Sequence, residues 1–152
     1  MGKTDAFLEH AQAIEQGLLD IGRASKASGV SVKMIRHYET LGLLKNVART
    51  YANYRVYTER DVHTLRFIKR ARALGFGMED IRELLSLWQN KSRSSASVKK
   101  VAAGHMEELK RKIAEMQAMV STLQHLTHHC HGDQRPDCPI LEDLAGAPKK
   151  GA

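Results

Sequence analysis

From Val98 to His128 the sequence contains no proline, and its one glycine, Gly104, is of a kind that a long helix tolerates. Within that stretch Ala102, Met106, Leu109, Ile113, Met116, Val120, Leu123 and Thr127 follow one another in alternating steps of four and three. Steps of that kind make a heptad seam, the stripe along which helices pair. At about 1.5 Å per residue the stretch forms a rod of about 45 Å, too long to pack only on a small domain of its own chain. The seam therefore predicts a dimerising coiled coil, with Met106, Leu109, Ile113, Met116, Val120 and Leu123 at the interface and a second copy as partner. The alternative is a single long helix lying on its own protein.

A chain of 152 residues with such a rod has room for one further small domain and no large enzyme. Aromatic residues are 5% of the chain, and its three prolines (Pro136, Pro139 and Pro148) all fall near the C-terminal end. Both facts favour long helices over a sandwich of short strands, so the expected fold class is all-α, mainly helical. No apolar run approaches the roughly 20 residues that span a bilayer. The N-terminus carries acids and has no apolar segment, so it is not read as a secretory signal, and a cytoplasmic protein with no membrane partner is expected.

Charge is concentrated. Asp20 to Phe76 hold twelve basic and four acidic side chains, a net of +8, whereas the rest carries twelve basic and thirteen acidic, a net of −1. A field confined to one segment attracts a polyanion, because each phosphate neutralised releases condensed counterions. The plainer reading is a solvated basic face.

The same segment carries the local signals of two short helices. Asp20 caps a helix over 21–27 that Ser28-Gly29 ends, and Ser31 caps another over 32–41 that Gly42 closes. Two short helices joined by Ser-Gly-Val make a helix-turn-helix, whose second helix enters a major groove. Ile21, Ala24, Val30, Ile35 and Leu41 form its expected core, which leaves Lys33, Arg36, His37 and Tyr38 near the outer face for phosphates or base edges. A turn around Ala52-Asn53, between Arg49 and Arg55-Val-Tyr57, reads as a β-hairpin wing. On it Arg49, Arg55 and Tyr57 are placed to grip backbone phosphates. Thr58-Glu-Arg-Asp61 is a capping-box variant opening a helix that ends at Leu74-Gly75, and a further helix runs over 78–88.

Two cysteines cannot build a disulfide scaffold. Both lie in Cys130-His-Gly-Asp-Gln-Arg-Pro-Asp-Cys138, as ligands, a redox pair or bystanders. His125, His128, His129 and His131 crowd the first of them. His125 and His129, one turn apart, could join a borderline metal, although exposed polar residues at a helix end suffice to explain them.

The run Ile21-Gly-Arg-Ala-Ser-Lys-Ala-Ser-Gly-Val-Ser-Val-Lys-Met-Ile-Arg-His-Tyr-Glu-Thr-Leu-Gly-Leu-Leu strongly resembles the DNA-binding start of MerR-family transcription regulators. The resemblance continues through Tyr54-Arg-Val-Tyr and Leu65-Arg-Phe-Ile-Lys-Arg-Ala-Arg-Ala-Leu-Gly-Phe to Ile81-Arg-Glu-Leu-Leu, and covers residues 21 to about 144. It implies a winged helix-turn-helix DNA-binding domain over 20–90. A connector and dimerisation helix over 91–129 and a metal-binding loop with a short helix over 130–144 would follow. Residues 1–19 are left as an N-terminal extension and 145–152 as a tail.

Within the family, Cys130-x-Gly-Asp-x-x-Pro-Asp-Cys138-Pro-Ile resembles the loop of the copper-responsive branch, the CueR and HmrR type. By that resemblance Cys130 and Cys138 are the two thiolates that hold one Cu(I), and soft thiolates do select a soft monovalent ion. Divalent-metal branches carry a cysteine near Ser95, so the serine marks metal selectivity. Ag(I) and Au(I) share the charge and softness of Cu(I). One departure is Asn53, where many family members have glycine before the wing tyrosine. Asn adopts positive φ most readily of the other residues, so the turn is expected to survive.

The expected function is thus a homodimeric Cu(I)-responsive activator that distorts promoter DNA for RNA polymerase at copper export and detoxification genes. The runner-up is a thiol redox sensor closing Cys130 onto Cys138. An enzyme is not expected: no glycine-rich phosphate loop, nucleophile elbow or HExxH pattern is present.

Overall fold

The computed structural model describes residues 7–8, 10–45, 47–130, 132 and 138–146. His131, Asp133, Pro136, Asp137 and Pro148 lie outside the described residues. The described chain is mostly helical and divides into two compact units, Met1–Val101 and Ala102–Ala152.

The first unit begins with strand β1 (Phe7–Leu8), helix α1 (His10–Glu15) and strand β2 (Leu19–Asp20). The N-terminal extension thus holds a six-residue helix flanked by two short strands. Those strands join the wing. The four-stranded sheet has the order β1-β3-β4-β2, with β3 at Ala48–Thr50 and β4 at Arg55–Tyr57. β1 pairs parallel to β3, with Phe7 opposite Arg49, and β2 pairs antiparallel to β4, with Leu19 opposite Tyr57. The extension is thus hydrogen-bonded to the wing, and its Ala13 is buried.

Helices α2 (Ile21–Ser28) and α3 (Val32–Thr40) are bounded as their local chemistry dictates. The Asp20 carboxylate accepts from the Arg23 N–H at 2.8 Å, and the Ser31 hydroxyl from the Met34 N–H at 3.3 Å. Gly29 ends α2 at φ 73°, where a side chain would be strained and a Cβ would sit 2.5 Å from Lys69 Nζ. Thr58 and Asp61 form the reciprocal capping box of α4 (Glu59–Ala73). Helix α5 (Met78–Gln89) follows, and Phe67 of α4 stacks on Trp88 at 4.8 Å between ring centres.

Ala24, Val30, Ile35, Tyr38, Leu43, Leu44, Tyr57, Val62, Leu65, Ile68, Ile81 and Leu85 form one buried cluster, with Ile21 and Leu41 partly buried against it. Each fully buried aliphatic side chain contributes roughly 1.5–3 kcal/mol of transfer free energy. Two arginines tie helix ends together. Arg66 donates from Nε and Nη2 to the Ala27 carbonyl at 3.0 and 2.7 Å, and Arg82 donates to the Leu41 carbonyl at 2.8 Å. Both occupy carbonyls at the C-terminal ends of the helix-turn-helix helices, where a cation complements the dipole.

Helix α6 runs unbroken from Ser95 to His129, starting with the Ser94 hydroxyl accepting from the Ser97 N–H. Its seam is bare: Met106, Leu109, Ile113, Met116, Val120 and Leu123 are all exposed, Ile113 at 64%. The Lys110–Glu107, Lys112–Glu108 and Arg111–Glu115 pairs lie off the seam. Each supports the helix by a few tenths of a kcal/mol. A short helix α7 (Pro139–Leu144) follows Cys138, as expected, with Pro139 in its first turn. Among the described residues no helix is long and apolar enough to cross a membrane.

Candidate nucleic-acid interface and thiol loop

Helix α3 presents Lys33, Arg36 and His37 to solvent. Tyr38 is a correction: it is 5% exposed, inside the core and not on the outer face. The reason is helical spacing, because Ile35 and Tyr38 are three residues apart and share the inward face. Arg36 instead looks onto a groove of about 610 Å3, lined also by Asp20, Ile21, Ala52, Asn53, Tyr54 and Arg55. The start of α2, the outer face of α3 and the wing turn therefore meet around one concave basic surface.

The wing turn is built as its sequence requires. Asn53 takes φ 67°, the single positive φ at a non-glycine among the described residues. Its N–H donates to the Thr50 carbonyl at 2.8 Å, and its side-chain oxygen accepts from Arg49 Nη1 at 3.0 Å. Arg49 thus braces the turn with one nitrogen. Arg55 reaches Glu39 of α3 through Nε at 2.6 Å, so its guanidinium couples wing to helix. Tyr51 and Tyr54, 61% and 66% exposed, flank the turn tip. Neither was among the expected DNA contacts, although Tyr54 is the wing tyrosine of the family resemblance. Their place on either side of a two-residue turn was the available signal.

Tyr57 is the second correction. Expected on the wing surface, it is fully buried. β4 lies between β3 and β2, so neither edge of this strand is free, and Tyr57 turns into the core cluster. Burial pushes its hydroxyl up to about 12, reinforced by the nearby Glu39 carboxylate and opposed by the Arg55 guanidinium.

In the second unit, Cys130 and Cys138 are free thiols, each half-buried. The Cys130 N–H donates to the Thr127 carbonyl at 3.1 Å, ending α6, and Cys138 is the N-cap residue of α7. Two soft donors at the mouths of two helices suit a soft cation of low coordination number. Among the described residues no three His, Cys, Asp or Glu side chains gather as a metal cluster. Ser95 is exposed in the first turn of α6 and lines a separate groove with Lys91, Arg93, Val98 and Lys99.

Comparison with known proteins agrees with this architecture. Residues 19–88 match the family described as MerR HTH family regulatory protein, and residues 62–126 match MerR, DNA binding. The chain is 59% identical over 127 residues to heavy metal-dependent transcription regulator 2 of Rhizobium meliloti (strain 1021), a match covering 84% of this chain and 86% of that one. It is 37% identical over 128 residues to the transcriptional regulator CueR of Salmonella typhimurium, covering 84% and 93%. Among solved structures it is similar to the regulator PbrR691 from Ralstonia metallidurans CH34 in complex with lead(II). That likeness has a TM-score of 0.74 and 31% identity, over 83% of this chain and 98% of the other. The capped helix pair, the wing and the long helix are thus those of a known class, and the chain belongs to the MerR family of DNA-binding transcription regulators, not to any class of enzyme.

Proposed function

We propose that this regulator is a homodimeric Cu(I) sensor that activates copper export and detoxification genes. The observation that carries the metal assignment is the donor set. The chain has two cysteines, both free at the junction of α6 and α7, and a serine at position 95. Two thiolates satisfy a monovalent d10 ion, whereas Zn(II) in a structural site takes four donors. Ag(I) and Au(I) would meet the same pair equally well. The likeness to heavy metal-dependent regulators and to CueR supports a metal effector.

On DNA, α3 enters the major groove with Lys33, Arg36 and His37, while Arg49 and Arg55 of the wing lie along phosphates. Tyr51 and Tyr54 extend that contact at the wing tip. Tyr38 and Tyr57 shape this face from beneath. The exposed seam of α6 pairs with a second copy, which sets two reading heads on one operator. Metal binding biases the dimer toward a conformation that undertwists the duplex, so that promoter elements realign for RNA polymerase.

The lead(II) complex of PbrR691 favours a second reading, in which a divalent ion is the effector. In-vitro transcription from the protein's own promoter separates the two. Cu(I) should activate the wild type while Zn(II) and Pb(II) do not, and Cys138→Ser should stay bound to DNA but silent. Equal activation by Pb(II) would refute the copper assignment. Activation by an oxidant in the absence of metal would establish the redox alternative.

A further inference from the structure

The last turns of α6 hold a second group of metal-ligating side chains, separate from the thiols. His125 and His129 are four residues apart on one helix face, and their ring centres lie 4.3 Å apart. His129 Nδ1 is 2.8 Å from the His125 carbonyl oxygen. A carbonyl can only accept, so Nδ1 carries the proton and the neutral ring keeps its lone pair on Nε2. An imidazole whose one nitrogen donates to a backbone carbonyl is held in a fixed orientation with its other nitrogen free, the usual support of a metal-bound histidine. In the heptad set by Met106, Leu109, Ile113, Met116, Val120 and Leu123, both histidines fall off the seam, and both rings are exposed. Pairing along the seam therefore leaves them accessible.

We infer that His125 and His129 form a binding site for one borderline divalent ion of the Ni(II) or Cu(II) class, with water completing its coordination, in addition to the Cys130–Cys138 pair. Histidines at i and i+4 on one helix face can share an ion, and the two rings here lie side by side on that face. Imidazole suits borderline ions, whereas a thiolate pair suits a soft monovalent one, so the two sites divide ions by softness. His128 touches His129 edge-on at 5.5 Å between ring centres and is not needed as a ligand.

The test uses the full-length Cys130→Ser/Cys138→Ser protein and Ni(II), followed by isothermal titration, with circular dichroism to confirm the helix. One Ni(II) per chain is expected. His125→Ala and His129→Ala should each weaken binding at least about tenfold, the lower end of the range seen when even ligand support is lost. His128→Ala, and His63→Ala at the separate His63–Glu59 pair, should leave it unchanged. Absence of Ni(II) binding in the thiol-free protein would overturn the proposal, and so would binding that survives both His125→Ala and His129→Ala. Because the thiols are absent from every variant, failure here leaves the copper reading untouched.

Discussion

Ile81 and Ile113 are the same side chain in opposite circumstances. Ile81, in α5, is fully buried among Leu65, Ile68 and the rest of the DNA-binding core. Ile113, midway along α6, is 64% exposed. The first region closes its own hydrophobic surface; the second leaves a regular apolar stripe in water, a state of a monomer that a second copy relieves. One region is complete as a fold; the other is left exposed and, in the dimer we propose, forms half of an interface.

The largest expected effect breaks the second region. Ile113→Asp places a carboxylate from each copy in one layer of the seam, an unpaired charge costing several kcal/mol. Sedimentation should find monomer, and an intact dimer would mean that the seam is not the interface. Ile81→Ala should spare the dimer contacts but destabilise the first unit by about 2–5 kcal/mol, measured by thermal or urea unfolding.

The difference between the regions also governs how far the sequence could be read. Helix starts were legible because capping is local: Asp20, Ser31, Thr58 and Asp61 act on N–H groups three residues away. The seam was legible because its period is a property of one helix. The start of α7 after Cys138 was legible because Pro139 suits a first helical turn. Tyr38 and Tyr57 were not, since their burial depends on how α3 and β4 pack. Nor were β1 and β2, two-residue strands whose partners Arg49 and Tyr57 lie some forty residues on. Local chemistry could be read directly; long-range placement of amphipathic residues could not.

Smaller effects sharpen the contrast inside the first region. Tyr57→Phe addresses the buried hydroxyl. Its folded-state pKa of about 12 exceeds the ordinary value of 10.0, so the folded protein resists its ionisation. Stability from this group is complete below pH 10 and declines as the pH rises toward 12. Urea midpoints across that window should fall for the wild type, and fall less for Tyr57→Phe. Thr58→Ala, which removes the α4 cap, should cost about 1 kcal/mol in the same assay. Arg36→Ala should leave folding unchanged, weaken operator binding, and lower the salt-dependence slope by about one. An unchanged slope would remove Arg36 from the phosphate contacts.

The central claim is that Cys130 and Cys138 alone hold the activating ion. X-ray absorption at the copper edge, on the Cu(I)-loaded full-length protein bound to its operator under reductant, reads the ligand set directly. One Cu(I) per chain is expected, bound directly by two sulfur donors and by no nitrogen. A third sulfur, or imidazole nitrogen from the nearby histidines, would contradict it.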